Sequence, residues 1–96
     1  MATLKGLQIY LNDILKSKSK SKSTVSQYKY CINLLKENNI DKLIVDDILK
    51  VFDSKLVNPN AYIARLSPLI TFFKHKNYSI ELNKLIDKRI QLEKKN

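Results

Sequence analysis

The stretch NPNAYIARLSPLITFFKHKN, residues 58–77, predicts a long amphipathic helix. Asn58 suits the N-cap position, and Pro59 suits the first helical position because no hydrogen bond is lost there. The apolar face of this helix consists of residues at helical spacing, namely Tyr62, Leu66, Leu69, Ile70 and Phe73. Pro68 lies inside the pattern, where it removes one hydrogen bond and clashes with the carbonyl group of Ala64. We therefore expect one helix that bends near Pro68 and ends at His75-Lys76-Asn77.

Four further segments show apolar side chains at spacings of three and four residues. They predict helices at Leu4–Lys16, Val25–Asn38, Val45–Lys55 and Ile80–Lys94. Thr24 suits the N-cap of the second helix, with Gln27 completing a capping box, and Ser79 suits the N-cap of the fifth. Glycine occurs once and proline twice, which is too few turn formers for a strand-rich fold. The predicted fold is all-α, a compact four- to five-helix bundle.

The segment Ser17–Lys22 alternates serine and lysine and has no apolar side chain to bury. We expect a flexible basic tether here, between an N-terminal helix in residues 1–16 and a helical bundle in residues 23–96. The chain of 96 residues has the length of one domain overall. Two interpretations of the tether stay open: it follows a phosphate backbone, or it is a solubilising linker.

The formal net charge of +9 points to a polyanionic partner, and double-stranded DNA is the first hypothesis. The first and last thirds of the chain are basic, whereas residues 39–58 are slightly acidic. We expect a basic surface built from the two ends, with an acidic back. The abundance of Lys, Asn, Ile and Tyr also fits an AT-rich genome, so part of the charge has a purely compositional explanation.

The sequence carries no pattern for catalysis. It has no glycine-rich phosphate loop and no cluster of cysteine and histidine, so we expect no enzyme activity, cofactor, metal or small-molecule substrate. Cys31 is the only cysteine, which fits a reducing compartment and a small side chain near the core. No apolar run approaches the roughly 18 residues of a membrane span, and the N-terminus lacks a secretory pattern. We expect an intracellular, DNA-associated protein in the cytoplasm or nucleoid, or in the virion or nucleus if it is viral.

Several short motifs occur in a suggestive order. They are Ser23-Thr24-Val25-x-x-Tyr28, Leu43-Ile44-Val45-Asp46-Asp47-Ile48, Phe52, Asn58-Pro59-Asn60 and Leu66-x-x-Leu69-Ile70-x-Phe72-Phe73. In this order and spacing, the region resembles the SAM-like core-binding domain that precedes the catalytic domain of phage integrases and other tyrosine recombinases. The leading helix Leu4–Lys16 also fits this resemblance.

The resemblance implies a small helical bundle that clamps one side of duplex DNA, with its second and fourth helices towards the major groove. It implies roles in integration and recombination, without chemistry in this domain. Two departures matter: Pro68 interrupts the fourth helix, and the chain stops at Asn96, where the catalytic domain would begin. The sequence is then either an excised domain or a stand-alone protein, and a stand-alone protein of this kind would serve DNA packaging, protection or regulation.

Phosphate contacts supply most of the affinity of such proteins for DNA. The candidate phosphate ligands are Lys18, Lys20 and Lys22 in the tether, Lys29 and Lys36 on the second helix, and Arg65, Lys74 and Lys76 on the fourth. Thr24 and Ser26 lie at a helix N-terminus, which favours a phosphate oxygen. The candidates for base readout are Gln27, Asn33, Asn60 and Arg65. Each lysine also has the plain interpretation of a solvated surface residue, and Asn60 and Gln27 also suit helix capping.

A different class of function stays open, namely a helical module that binds an acidic protein or self-associates. The N-terminal helix distinguishes the two classes. If Leu4–Lys16 packs on its own bundle, the protein is a self-contained DNA-binding module. If this helix projects beyond the tether, we expect a homo-oligomer formed through it. Membrane binding is the weakest option, because the basic residues are spread over several helices.

Overall fold

The computed structural model describes residues 2–17 and 21–94. The helices are α1 (Leu4–Ser17), α2 (Lys22–Glu37), α3 (Val45–Lys55), α4 (Pro59–His75) and α5 (Ser79–Lys94). The described residues form no strand beyond an isolated bridge between Thr3 and Lys42. Their radius of gyration is 12.6 Å, close to the value of about 12.5 Å expected for a folded chain of this length. The prediction of an all-α bundle is confirmed.

The start of α2 differs from the sequence prediction. The helix begins at Lys22, and its N-cap is Ser21, whose hydroxyl oxygen accepts a hydrogen bond from the Thr24 amide at 3.2 Å. Thr24 therefore lies inside the first turn, and the predicted capping box of Thr24 and Gln27 is wrong. Lys22 belongs to α2 rather than to the tether, while Lys18 and Lys20 lie outside the described residues.

The central element is α4, which contacts α5, α2 and α1. Asn58 caps it by accepting a hydrogen bond from the Asn60 amide at 2.8 Å, as predicted. The helix continues through Pro68 to His75, so the prediction of one helix is confirmed, and the bend stays a prediction. Its buried residues are Tyr62, Leu66, Pro68, Leu69, Phe72 and Phe73. The helix ends before Asn77, which has a φ of 60°, a left-handed conformation that asparagine tolerates.

The N-terminal helix α1 is part of the bundle. Leu7 and Leu11 are buried, and the ring of Tyr10 lies 5.5 Å from that of Phe72. The segment before α1 is held by backbone hydrogen bonds, from the Leu4 amide to the Asp41 carbonyl at 2.7 Å and from the Leu43 amide to the Ala2 carbonyl at 3.0 Å. The structure therefore shows the packed arrangement of α1, and not the projecting arm.

The contacts between α3 and α5 change the expected distribution of charge. The ammonium group of Lys84 lies 3.6 Å from the Asp46 carboxylate, and that of Lys88 lies 3.1 Å from Asp53. These lysines of the last third face the acidic middle of the chain instead of extending a basic surface. Ile44 and Ile90, which lie at the apolar spacings of the third and fifth helices, are 44% and 42% exposed, respectively.

Tyr62 joins α4 to α3. Its hydroxyl group donates a hydrogen bond to the Asp53 carboxylate at 2.6 Å, and the Leu49 carbonyl oxygen lies 3.3 Å from the same hydroxyl oxygen. The ammonium group of Lys88 lies 5.3 Å from the centre of the Tyr62 ring. Burial and the adjacent Asp53 carboxylate raise the pKa of Tyr62. The hydroxyl group therefore stays protonated, and keeps donating, well into the alkaline range.

We expect Tyr62→Phe to lower the free energy of unfolding by about 1–2 kcal/mol, because the Asp53 carboxylate loses a buried donor while the ring packing remains. Because folding raises the pKa of Tyr62, its hydroxyl group contributes fully to stability at pH values below its unfolded pKa of about 10. At higher pH this contribution decreases. The difference between wild type and Tyr62→Phe should therefore be constant below about pH 9 and should shrink above about pH 10. Urea unfolding of both proteins at several pH values measures this difference in the free energy of unfolding.

The matched control is Tyr30→Phe, because Tyr30 is 57% exposed. It should change the free energy of unfolding little at any pH. A Tyr62→Phe difference that stays constant through the alkaline range would contradict the proposed protonation of Tyr62.

Candidate nucleic-acid interface

One face of α2 carries most of the predicted DNA-binding residues of that helix. Its members follow one another at intervals of three and four residues, so they share a face of the helix. We call this face the α2 stripe, and it consists of Lys22, Ser26, Lys29, Asn33 and Lys36. All five side chains are exposed. The helical rise of 1.5 Å per residue gives the stripe a length of about 21 Å.

The α2 stripe is purely basic or neutral along its length. The only acidic residue of α2 is Glu37, which borders the stripe at its C-terminal end. The opposite face of the helix is apolar and holds Tyr28, Cys31 and Leu35 in the core. The packing of that face therefore fixes the direction in which the lysines of the stripe point.

Two other predicted residues of α2 lie away from the stripe. Thr24 and Gln27 are half-buried and occupy other positions around the helix. The backbone amide of Thr24 already donates to Ser21, and the Thr24 hydroxyl lies 3.0 Å from the Ser21 hydroxyl. The N-cap Ser21 thus occupies the backbone amide of Thr24, and a phosphate contact by Thr24 or Ser26 stays a prediction.

Arg65 of α4 lies beside the α2 stripe. The carbon at the centre of its guanidinium group is 4.8 Å from the centre of the Tyr30 ring. Arg65, Tyr30 and Asn33 line one shallow hollow of about 280 Å³ together with Leu34, Glu37 and Leu56. The structure thus brings Asn33 and Arg65 together, and it adds Tyr30, which sequence reasoning missed as a partner of Arg65.

The remaining candidates lie elsewhere on α4. Asn60 is exposed in the first turn of α4, where its backbone amide donates a hydrogen bond to the side chain of the N-cap Asn58. Lys74 and Lys76 are exposed at the C-terminal end, beside α1. Lys76 lies 5.8 Å from the centre of the Phe72 ring, and cations here also stabilise the helix dipole. These lysines therefore have a structural role that is independent of DNA.

A second hollow, at the start of α3 and α5, differs in character. It has a volume of about 360 Å³ and is lined by apolar side chains that include Ile44 and the 70% exposed Ile80. Asp46, Glu81 and Lys84 give its rim charges of both signs. None of the candidate DNA-binding residues lines this hollow.

Other kinds of site find little support in the described part of the chain. No group of three or more His, Cys, Asp or Glu side chains there is arranged to hold a metal ion. No helix in residues 2–17 and 21–94 is long and apolar enough to cross a bilayer. Cys31 is fully buried, and this burial raises the pKa of its thiol to about 12. The thiol therefore packs as a small apolar group, as expected.

Comparison with known protein families, with curated proteins and with solved structures finds no match for this chain.

We expect the Cys31 thiol to be unreactive in the folded protein at about pH 8, because it is buried and protonated. In a denaturant it should react at the rate of an ordinary thiol, whose pKa is about 8.5. A chromogenic disulfide reagent, added with and without guanidinium chloride, measures both rates. As a control, a Tyr30→Cys/Cys31→Ala variant places a thiol on the exposed neighbouring position and should react at once in the folded state. Equal rates for Cys31 in both solutions would contradict the inert, structural role.

Proposed function

We propose that this protein is a non-catalytic DNA-binding module that grips duplex DNA through phosphate contacts from the α2 stripe. The observation that carries the proposal is the alignment of Lys22, Lys29 and Lys36 on one exposed face with no acidic residue between them. Sequence charge alone does not require this arrangement, since the same number of lysines scattered over the surface gives the same net charge.

The pairing of charges elsewhere supports the same face. Lys84 and Lys88 of α5 are close to carboxylates of α3, whereas no ion pair of the described residues involves Lys29 or Lys36. An unpaired lysine that contacts a phosphate releases cations condensed on the DNA, and this release drives binding. The α2 stripe therefore offers more binding free energy per lysine than the α3–α5 face does.

The geometry of the stripe also suits duplex DNA. The major groove is about 12 Å wide and admits one α-helix, so α2 can approach it with the stripe towards the DNA. The resemblance to the core-binding domain of tyrosine recombinases rests on the quoted motifs. It implies that the same helix, the second, lies towards the major groove. On that basis, integration or recombination is the proposed context, with packaging, protection or regulation if the protein acts alone.

A titration of labelled random-sequence duplex DNA at several salt concentrations tests the proposal. We expect the logarithm of the affinity to fall linearly with the logarithm of the salt concentration, with a slope of about −0.9 for each phosphate contact. A duplex RNA of the same sequence should bind more weakly, because its deep and narrow major groove excludes a helix. No binding to DNA at about 50 mM salt would reject the proposal in favour of the interaction module for an acidic protein.

The double variant Lys29→Gln/Lys36→Gln locates the interface. We expect it to weaken binding and to reduce the salt slope by about 1.8, which corresponds to two lost phosphate contacts. The matched control is Lys50→Gln/Lys55→Gln, which removes two exposed lysines of α3 and leaves the same net charge. Equal losses in the two variants, with both folded by circular dichroism, would mean that the total charge matters and the α2 stripe does not.

A further inference from the structure

We infer that the hollow between α2 and α4 reads base edges, with Arg65 contacting a guanine and Asn33 a neighbouring adenine, while Tyr30 holds the arginine in place. This inference rests on the proposed DNA-binding function and adds sequence preference to it. The cluster of Arg65, Asn33 and Tyr30 contains none of the lysines of the α2 stripe. The inference therefore assigns specificity to this cluster and affinity to the lysines.

The stacking of Arg65 on Tyr30 is the first observation. The guanidinium group lies over the face of an aromatic ring at 4.8 Å, within the range of a cation–π contact. Arg65 is half-buried, and its guanidinium group meets the exposed ring of Tyr30. A guanidinium held in this way loses less conformational entropy when it binds, and its fork of donors keeps a fixed orientation.

The donors of Arg65 are not used by a carboxylate. The ion pairs within residues 2–17 and 21–94 join Lys84 to Asp46, Lys88 to Asp53 and Arg89 to Glu93, and none involves Arg65. Glu37 nevertheless lines the same hollow. A carboxylate in the same hollow repels a phosphate more than it repels the neutral edge of a base, so the hollow favours a base as the partner of Arg65.

The position of Asn33 is the second observation. Asn33 lies between Lys29 and Lys36 on the α2 stripe, about one helical turn from each. The two lysines are separated by a rise of about 10.5 Å, close to the major-groove width of about 12 Å. If each lysine contacts a phosphate at one edge of the groove, Asn33 lies over the base pairs between them, and Arg65 adjoins it from α4.

The chemistry of the two side chains specifies the bases. Arginine donates two hydrogen bonds to O6 and N7 of guanine, and asparagine pairs with N6 and N7 of adenine. Lysine in place of Arg65 keeps the charge and loses the planar fork, so it retains attraction to DNA while it loses recognition. Tyr30 is a positioning residue in this scheme, because it acts through Arg65.

The test is selection of bound duplexes from a randomised library by the wild-type chain, followed by affinity measurements on the selected sequence and on single-base substitutions. We expect a consensus with a guanine next to an adenine. Arg65→Lys should reduce the preference for that guanine by roughly 5- to 150-fold, the range for one bidentate contact. Asn33→Ala should relax the adenine position alone.

Two variants of Tyr30 test whether its ring positions Arg65. Tyr30→Leu should weaken the guanine preference several-fold, whereas Tyr30→Phe, which keeps the ring, should retain it. Lys29→Gln/Lys36→Gln should lower affinity for all sequences and leave the preference intact.

The outcomes distinguish this inference from the function on which it rests. Salt-dependent binding without any consensus, or a consensus that Arg65→Lys and Asn33→Ala leave unchanged, would overturn base readout and leave DNA binding in place. A wild-type chain that binds no duplex at low salt would overturn both.

Discussion

The broad apolar face of α4 must be covered on several sides, and the arrangement of the other helices follows from this requirement. Leu66 and Leu69 define the middle of that face, and Pro68 and Phe72 extend it around the helix. A face of this width is too wide for one partner, so α1, α2 and α5 all pack against it. The hollow lined by Arg65, Tyr30 and Asn33 lies where α2 packs against α4, so it is a consequence of that packing.

The same packing separates two kinds of charged surface. On one side, α3 and α5 bring carboxylates and ammonium groups within ion-pair distance, so their fields largely cancel. On the other side, α2 turns its lysines outward with no acidic residue among them. The net charge of +9 is therefore less informative than its distribution, because of these two surfaces the second has the row of cations without carboxylates among them.

The helices could be predicted from the sequence because their signals are local. Asn58 and Pro59 mark the start of α4, and the bounds of α3 are those predicted. The start of α2 could not be settled in this way, since Ser21 and Thr24 are both suitable caps and lie one turn apart. Pairwise contacts between helices carry no local signal, so the stack of Arg65 on Tyr30 was not foreseen. The exposure of Ile44 likewise depends on neighbours that its own helix does not specify.

The backbone hydrogen bonds that join the N-terminal segment to the connection between α2 and α3 have a kinetic consequence. The bond from Leu4 to Asp41 and the bond from Leu43 to Ala2 each join residues about forty positions apart, whereas most other backbone hydrogen bonds are local to a helix. Contacts that close long loops form late in folding, because the chain entropy of closure must be overcome first. Docking of α1 is therefore expected to be the last and most readily reversed step of folding. Amide hydrogen exchange at Leu4 and Leu43 would report its opening separately from the unfolding of α4.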